Sequence, residues 1–114
     1  MATKNPQEPF HRIDVAEAKE MLSNGAHVID VRNPDEYMNG HVPNAPLIPV
    51  NNVFARREEL PKDGKIIFVC AVGSRSALAC EMAAAAGITA DRLYNLEGGT
   101  EAWIKAGEPV EKPA

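Results

Sequence analysis

The feature that most constrains the fold is a run of four large apolar residues, Ile66-Ile67-Phe68-Val69, that no polar residue interrupts. A strand with one face in water alternates apolar and polar side chains, so a continuous run indicates a strand that is covered on both faces. Strands of this kind belong to parallel sheets with helices packed on each side. We therefore expect a central parallel strand that ends at Cys70.

Helix and strand signals alternate along the rest of the chain. Two capping-box patterns, Asp14 with Glu17 and Asn33 with Glu36, predict the starts of two helices. Further helices are predicted at residues 53–60, 74–86 and 100–106, and further strands at residues 10–13, 27–31, 47–50 and 92–96. Pro49 restricts its strand to a sheet edge or a strand end. The alternation predicts an α/β fold, a three-layer α/β/α sandwich around a mostly parallel sheet.

The composition is that of a small globular domain. Of the 114 residues, 45% are apolar and 25% are charged, which suits one folded domain and disfavours disorder. The net charge is −4 and the basic residues form no dense cluster, so nucleic acid is not expected as a partner. The N-terminal residues lack a signal-peptide pattern, and no apolar run approaches the about 18 residues of a membrane span. We expect a cytoplasmic monomer without membrane association.

The cysteines and histidines favour neither a disulfide nor a metal site. Cys70 falls at a predicted strand end, whereas Cys80 falls in the middle of a predicted helix and is interpreted as a packing residue. These positions make a bridge between the two sulfurs geometrically awkward. His11, His27 and His41 are scattered singly, without the spacing of a zinc site. The sequence predicts no metal and no cofactor.

The loop after the central strand has the composition of an anion site. Ligands of open parallel sheets bind beyond the carboxyl ends of the strands. Gly73 permits unusual backbone angles, so that successive N–H groups can converge on one point, toward which the next helix directs its positive end. This end lowers a thiol pKa toward neutrality, and Arg75 adds a cation that stabilises the thiolate and docks an anionic substrate. We predict Cys70 as the catalytic residue. The predicted substrate-binding residues are Ala71, Val72, Gly73, Ser74, Arg75 and Ser76.

Three motifs, in order along the chain, resemble those of the rhodanese-like family. They are Val28-Ile29-Asp30-Val31-Arg32 followed by Glu36-Tyr37 and Gly40-His41-Val42-Pro43-Asn44-Ala45, the loop Cys-x-x-Gly-x-Arg-Ser that begins at Cys70, and Leu96-Glu97-Gly98-Gly99 with Trp103. The resemblance implies a five-stranded, mainly parallel sheet in the order 1-5-4-2-3 and an active-site cysteine at Cys70. The predicted domain spans residues 9–108, with short tails at residues 1–8 and 109–114. Structural roles are favoured for Asp30, Arg32, His41, Gly98, Gly99 and Trp103.

The resemblance also implies a sulfurtransferase. Cys70 would take a sulfane sulfur from thiosulfate or a related anionic donor, hold it as a persulfide, and pass it to a thiol or to cyanide. Because Ala71 and Val72 are apolar, Arg75 is the only cation of the loop, which disfavours thiosulfate as an efficient donor.

Two other functions remain open at this point. Loops of phosphatases and arsenate reductases place five residues between cysteine and arginine, whereas only four separate Cys70 from Arg75. A non-catalytic binding or sulfur-sensing module is the alternative from a different class, and the intact Cys70 weighs against it.

Overall fold

The computed structural model describes residues 2–113, and within them four strands form one parallel sheet. They are β1 (His11–Ile13), β2 (His27–Asp30), β3 (Ile66–Val69) and β4 (Leu93–Leu96), in the order β1-β4-β3-β2. All three strand pairings are parallel. Every residue of β3 is fully buried, which confirms the central strand that the apolar run predicts. Met1 and Ala114, the outermost residues of the predicted tails, lie outside the described residues.

Helices cover both faces of the sheet. Residues 2–113 contain four α-helices: α1 (Val15–Ser23), α2 (Pro34–Met38), α3 (Ser74–Ala85) and α4 (Gly99–Lys105). The capping box at α1 forms as predicted, because the Asp14 carboxylate accepts the N–H of Glu17 and the Glu17 carboxylate accepts the N–H of Asp14. At α2, the Glu36 carboxylate accepts the N–H of Asn33. None of these helices is long and apolar enough to cross a bilayer.

The core has one half on each face of the sheet. Alternate side chains of β3 point to opposite faces, so that Ile66 and Phe68 join one half and Ile67 and Val69 join the other. The first half includes small residues of α3, among them the fully buried Cys80. The second half includes residues of α1 and α4. The three-layer α/β/α sandwich is therefore confirmed, and Cys80 packs in the core as predicted.

The prediction of a fifth strand at residues 47–50 is wrong. Leu47 makes a single parallel bridge with Asp30, and no continuous ladder follows among the described residues. The physical reason lies at the end of β2. The N–H of Arg32, which a continuing ladder would use, bonds instead to the Asp30 carboxylate at 2.9 Å. The other four strands keep the relative order that the resemblance implies.

The prediction of a helix at residues 53–60 is also wrong. The region instead contains two short 3₁₀ turns, Val50–Asn52 and Arg57–Glu59. In an α-helix the carbonyl of Phe54 would accept the N–H of Glu58. Here that carbonyl accepts both the backbone N–H and the guanidinium of Arg57, so the α-helical ladder does not propagate.

Parts of both predicted tails contact the domain. Thr3 pairs with Arg12 in an antiparallel bridge, and Glu111 pairs with His41 in another. The indole N–H of Trp103 donates to the carbonyl of Pro109 at 2.7 Å, which fits the anchoring role favoured for this residue. These contacts hold residues on either side of the predicted span of 9–108 against the fold.

Candidate active site

The loop that follows β3 lies at the carboxyl end of the sheet. Cys70 follows Val69 directly, and α3 begins at Ser74. Gly73, the residue before α3, has φ of 109°, a conformation that other L-residues rarely adopt. A Cβ atom there would lie 3.4 Å from the backbone nitrogen of Gly98, which is an ordinary van der Waals contact. The need for glycine at this position is thus conformational.

The Cys70 thiol points inward. Its residue is fully buried, which the loop sequence does not predict. Sγ accepts the backbone N–H of Gly73 at 3.0 Å and lies 3.4 Å from the hydroxyl oxygen of Ser76. A sulfur that accepts several hydrogen bonds in a buried site is suited to carry negative charge.

These contacts decide the acidity of the thiol. Burial raises the pKa of Cys70, because it removes the thiolate from water. Hydrogen bonds from the Ser76 hydroxyl and from the N–H groups of Ser76, Gly73 and Val72 lower the pKa. The lowering contributions win, so that the pKa of Cys70 lies below its ordinary value of 9.0. Amide donors converging on the sulfur are the arrangement that the loop sequence predicts.

Arg75 has a partner that the sequence does not predict. Its guanidinium forms two parallel bonds to the carboxylate of Glu36, of 2.7 and 2.9 Å. The hydrogen bond from Arg75 lowers the pKa of Glu36 to about 2. The order of the elements could have indicated this pair. Because β2 and β3 are parallel, the helices that follow them, α2 and α3, both begin at the same edge of the sheet. The positive charge of the loop is therefore compensated by a fixed carboxylate.

The N-terminus of α4 holds the loop from behind. The carbonyl of Cys70 accepts the N–H of Thr100 at 2.8 Å and its hydroxyl at 3.1 Å, and the carbonyl of Ala71 accepts the N–H of Glu101 at 3.1 Å. With the carbonyls directed toward α4, amide N–H groups of the loop are free to face the sulfur. Gly99 permits this approach, because a Cβ atom there would lie 2.4 Å from the Cys70 carbonyl oxygen.

Asn95 belongs to the site but was not among the predicted residues. It is fully buried in β4, and its Oδ1 accepts a hydrogen bond from the equally buried Ser76 hydroxyl. Its amide nitrogen donates to the carbonyl of Gly73 at 3.1 Å and to the carboxylate of Glu97. The available signal was a polar residue between the apolar residues Tyr94 and Leu96 in a predicted strand.

The remaining motif residues support the turn after α2. Asp30 and Arg32 form a buried ion pair with an Oδ2 to Nη2 distance of 2.8 Å, and the same Nη2 donates to the carbonyl of Gly40 at 2.7 Å. His41 stacks on Tyr37 with ring centroids 4.0 Å apart. Asn44 has φ of 68°, the left-handed conformation that asparagine tolerates. These contacts agree with the structural roles favoured for Asp30, Arg32 and His41.

Known proteins share both the sequence pattern and the fold. A family model described as the rhodanese-like domain matches residues 14–106. A sulfurtransferase from Allochromatium vinosum is 35% identical over 86 residues, which make up 75% of this chain and 78% of that protein. The thiosulfate sulfurtransferase GlpE of Vibrio cholerae is 29% identical over 103 residues, or 90% of this chain and 95% of that protein.

A solved structure agrees with these relatives. The crystal structure of a rhodanese-related protein from Thermoplasma volcanium has a TM-score of 0.80 and 32% identity, and the match covers 90% of this chain and 98% of that one. The loop at the end of β3 lies within the residues that the family model matches. The chain therefore belongs to the rhodanese-like domain family.

Proposed function

We propose that this protein is a sulfurtransferase that carries a sulfane sulfur on Cys70 as a persulfide. The observation that carries the proposal is the buried sulfur that accepts the Gly73 N–H at 3.0 Å, faces the Ser76 hydroxyl, and has a lowered pKa. A thiol of this kind is present as the nucleophilic thiolate at a lower pH than a free cysteine. Relatives named sulfurtransferases support the same reaction class.

The transfer takes place in two displacements. The Cys70 thiolate attacks the outer sulfur of the donor, a new S–S bond forms, and with thiosulfate the old S–S bond breaks, so that sulfite leaves with the electron pair. The negative charge of the thiolate ends on the outer persulfide sulfur. A thiolate or cyanide then attacks that sulfur and restores the Cys70 thiolate. Sulfite and the thiolate are stable anions, so neither step requires a general acid.

The loop supplies charge stabilisation throughout this cycle. The amides of residues 72, 73 and 76 contribute to the low pKa of the thiolate, and the N-terminus of α3 adds its dipole. The proposed substrate-binding residues are Ala71, Val72, Gly73, Ser74, Arg75 and Ser76. An anionic donor has to share the Arg75 guanidinium with Glu36, which is half-buried beside it. This competition supports the expectation that thiosulfate is an inefficient donor.

Access to the sulfur requires a local movement. Cys70 is fully buried, whereas Val72 in the same loop is 54% exposed. A donor therefore reaches Sγ only when the short segment between Cys70 and Gly73 opens, and local openings of this size are common in ligand-binding loops. The opened loop would close again over the persulfide and separate it from water.

The test is thiocyanate formation from cyanide, measured with thiosulfate and with polysulfide. The variants are Cys70→Ser and, as the matched control, Cys80→Ser, because Cys80 is equally buried but lies one helical turn beyond Ser76 in α3 and has a raised pKa. We expect Cys70→Ser to abolish turnover and Cys80→Ser to retain it. Turnover by Cys70→Ser would show that Cys70 is not the nucleophile.

Two further outcomes would contradict the proposal. If no donor gives turnover and Cys70 gains no sulfur, the domain is a binding or sulfur-sensing module. If p-nitrophenyl phosphate is cleaved in a Cys70-dependent manner, the protein is a phosphatase, and the loop of four residues between Cys70 and Arg75 is wide enough for a phosphoryl group.

A further inference from the structure

The Ser76 hydroxyl has one proton and two acceptors. Its oxygen lies 3.4 Å from Cys70 Sγ and within hydrogen-bond distance of Asn95 Oδ1. All three residues are fully buried. A hydroxyl group donates only one hydrogen bond at a time, so Ser76 serves either the sulfur or the amide oxygen.

The orientation of the Asn95 amide is fixed by its other contacts. Its nitrogen donates to the Gly73 carbonyl at 3.1 Å and to the Glu97 carboxylate, and both of these groups only accept. Oδ1 must therefore face Ser76. Glu97 is itself held by Arg12, which donates to both carboxylate oxygens at 3.0 Å.

We propose that Asn95 is a positioning residue that competes with Cys70 for the Ser76 proton and so sets how strongly this hydroxyl holds the anionic sulfur. When Cys70 is a neutral thiol, Ser76 donates to Asn95 and offers a lone pair to the S–H group. When Cys70 is a thiolate, Ser76 turns to the sulfur and Asn95 Oδ1 loses its donor. In the persulfide, the charge lies one sulfur further out, and the Ser76 proton returns to Asn95.

Because Asn95 competes for the Ser76 proton, the Cys70 thiolate is less stable than it would be if the sulfur were the only acceptor of this proton. A thiolate that loses part of one hydrogen bond is a stronger nucleophile, since nucleophilicity falls as the thiol pKa falls. The proposal uses the proposed function only in treating Cys70 as the reacting group.

The charged groups around this site are already paired. Arg75 on α3 bonds to Glu36 on α2. Asp30 and Arg32 pair at the end of β2, and Glu97 pairs with Arg12 behind Asn95. The other described thiol, Cys80, has a raised pKa because it is buried in α3. None of these charges is removed by changing Asn95 to an apolar residue.

The test is the pH dependence of Cys70 alkylation by iodoacetamide, followed on the Cys70 peptide by mass spectrometry. Asn95→Leu and, as a smaller second deletion, Asn95→Ala remove the competing acceptor. We expect each to lower the pKa of Cys70 by about 1, which raises the thiolate fraction about tenfold at low pH, while Ser76→Ala raises the pKa by a similar amount. In a Ser76→Ala background, changing Asn95 should leave the pKa unmoved.

The double variant separates competition from structural damage. A purely structural role for Asn95 would shift the pKa of Cys70 equally with and without the Ser76 hydroxyl, and that result would overturn the proposal. An unchanged pKa in both single Asn95 variants would overturn it as well. Alkylation does not need sulfur transfer, so these outcomes are independent of the thiocyanate assay.

Discussion

Replacing Gly99 by alanine tests how the active loop is held in place. The new Cβ would lie 2.4 Å from the Cys70 carbonyl oxygen and 2.5 Å from that of Ala71, well inside van der Waals contact. Both obstacles are backbone atoms, so the loop itself has to move. The shift would break the two bonds that the backbone N–H groups of Thr100 and Glu101 donate to these carbonyls.

The expected cost follows from these contacts. The positive φ of 58° at Gly99 costs alanine about 1 kcal/mol, and two lost hydrogen bonds add about 1 kcal/mol each, for a total of roughly 3 kcal/mol in the free energy of unfolding. Gly107→Ala is the matched control. Gly107 has φ of 82°, but a Cβ there meets no described atom within 4 Å, so only the conformational cost of about 1 kcal/mol applies.

Urea unfolding and the sulfur-transfer rate measure the two consequences. We expect Gly99→Ala to lose about 2 kcal/mol more stability than Gly107→Ala, and at least tenfold in rate, because the amides that face Sγ move with the carbonyls. Gly107→Ala should keep its rate. Equal stability losses and equal rates for the two variants would refute the inference that α4 positions the loop.

Other predictions concern the charge and the burial of the site. Glu36→Gln should lower the KM for thiosulfate about three- to fivefold, because it frees the Arg75 charge at a half-buried site. Glu59→Gln, which removes a carboxylate from an ion pair elsewhere, is the control and should leave the KM unchanged. Equal KM values for the two variants would contradict this prediction. The pKa of Glu36 is lowered from 4.5 to about 2, so its stabilisation is full above pH 4.5 and is lost as the pH falls toward 2. Between pH 4.5 and pH 2, the free energy of unfolding of Glu36→Gln should therefore fall less than that of the native protein. Equal falls in the two proteins would contradict this prediction. Because Cys70 is buried, a bulky maleimide should be slowed about tenfold more than iodoacetamide, each rate being taken relative to that of the same reagent with a free thiol, and equal slowing would argue against a closed loop.

Local sequence patterns were sufficient for the framework and for the central residue of the site. An uninterrupted apolar run identified the buried strand β3, and a loop with Gly73 and Arg75 after it identified Cys70. Both patterns act within a few residues, so they can be recognised in one sequence. The predicted strand at residues 47–50 failed because the Asp30 carboxylate takes the N–H of Arg32, which a continuing ladder would need.

The parts of the site that sequence reasoning missed are contacts between distant residues. Arg75 pairs with a residue 39 positions away, and Ser76 with one 19 positions away. Glu36 already had an explanation as a helix cap, and Asn95 lies directly before the motif that begins at Leu96 and is not part of it. The complete burial of Cys70 likewise depends on how the loop packs on α4, which no spacing in the sequence reports.

The measurement that tests the central claim most directly is the mass of each cysteine peptide after exposure of the native protein to a sulfane donor. We predict that the Cys70 peptide gains one sulfur atom, that the Cys80 peptide gains none, and that cyanide removes the added sulfur as an equal amount of thiocyanate. Thiocyanate formation without any sulfur on Cys70, or sulfur on Cys80 alone, would contradict the account.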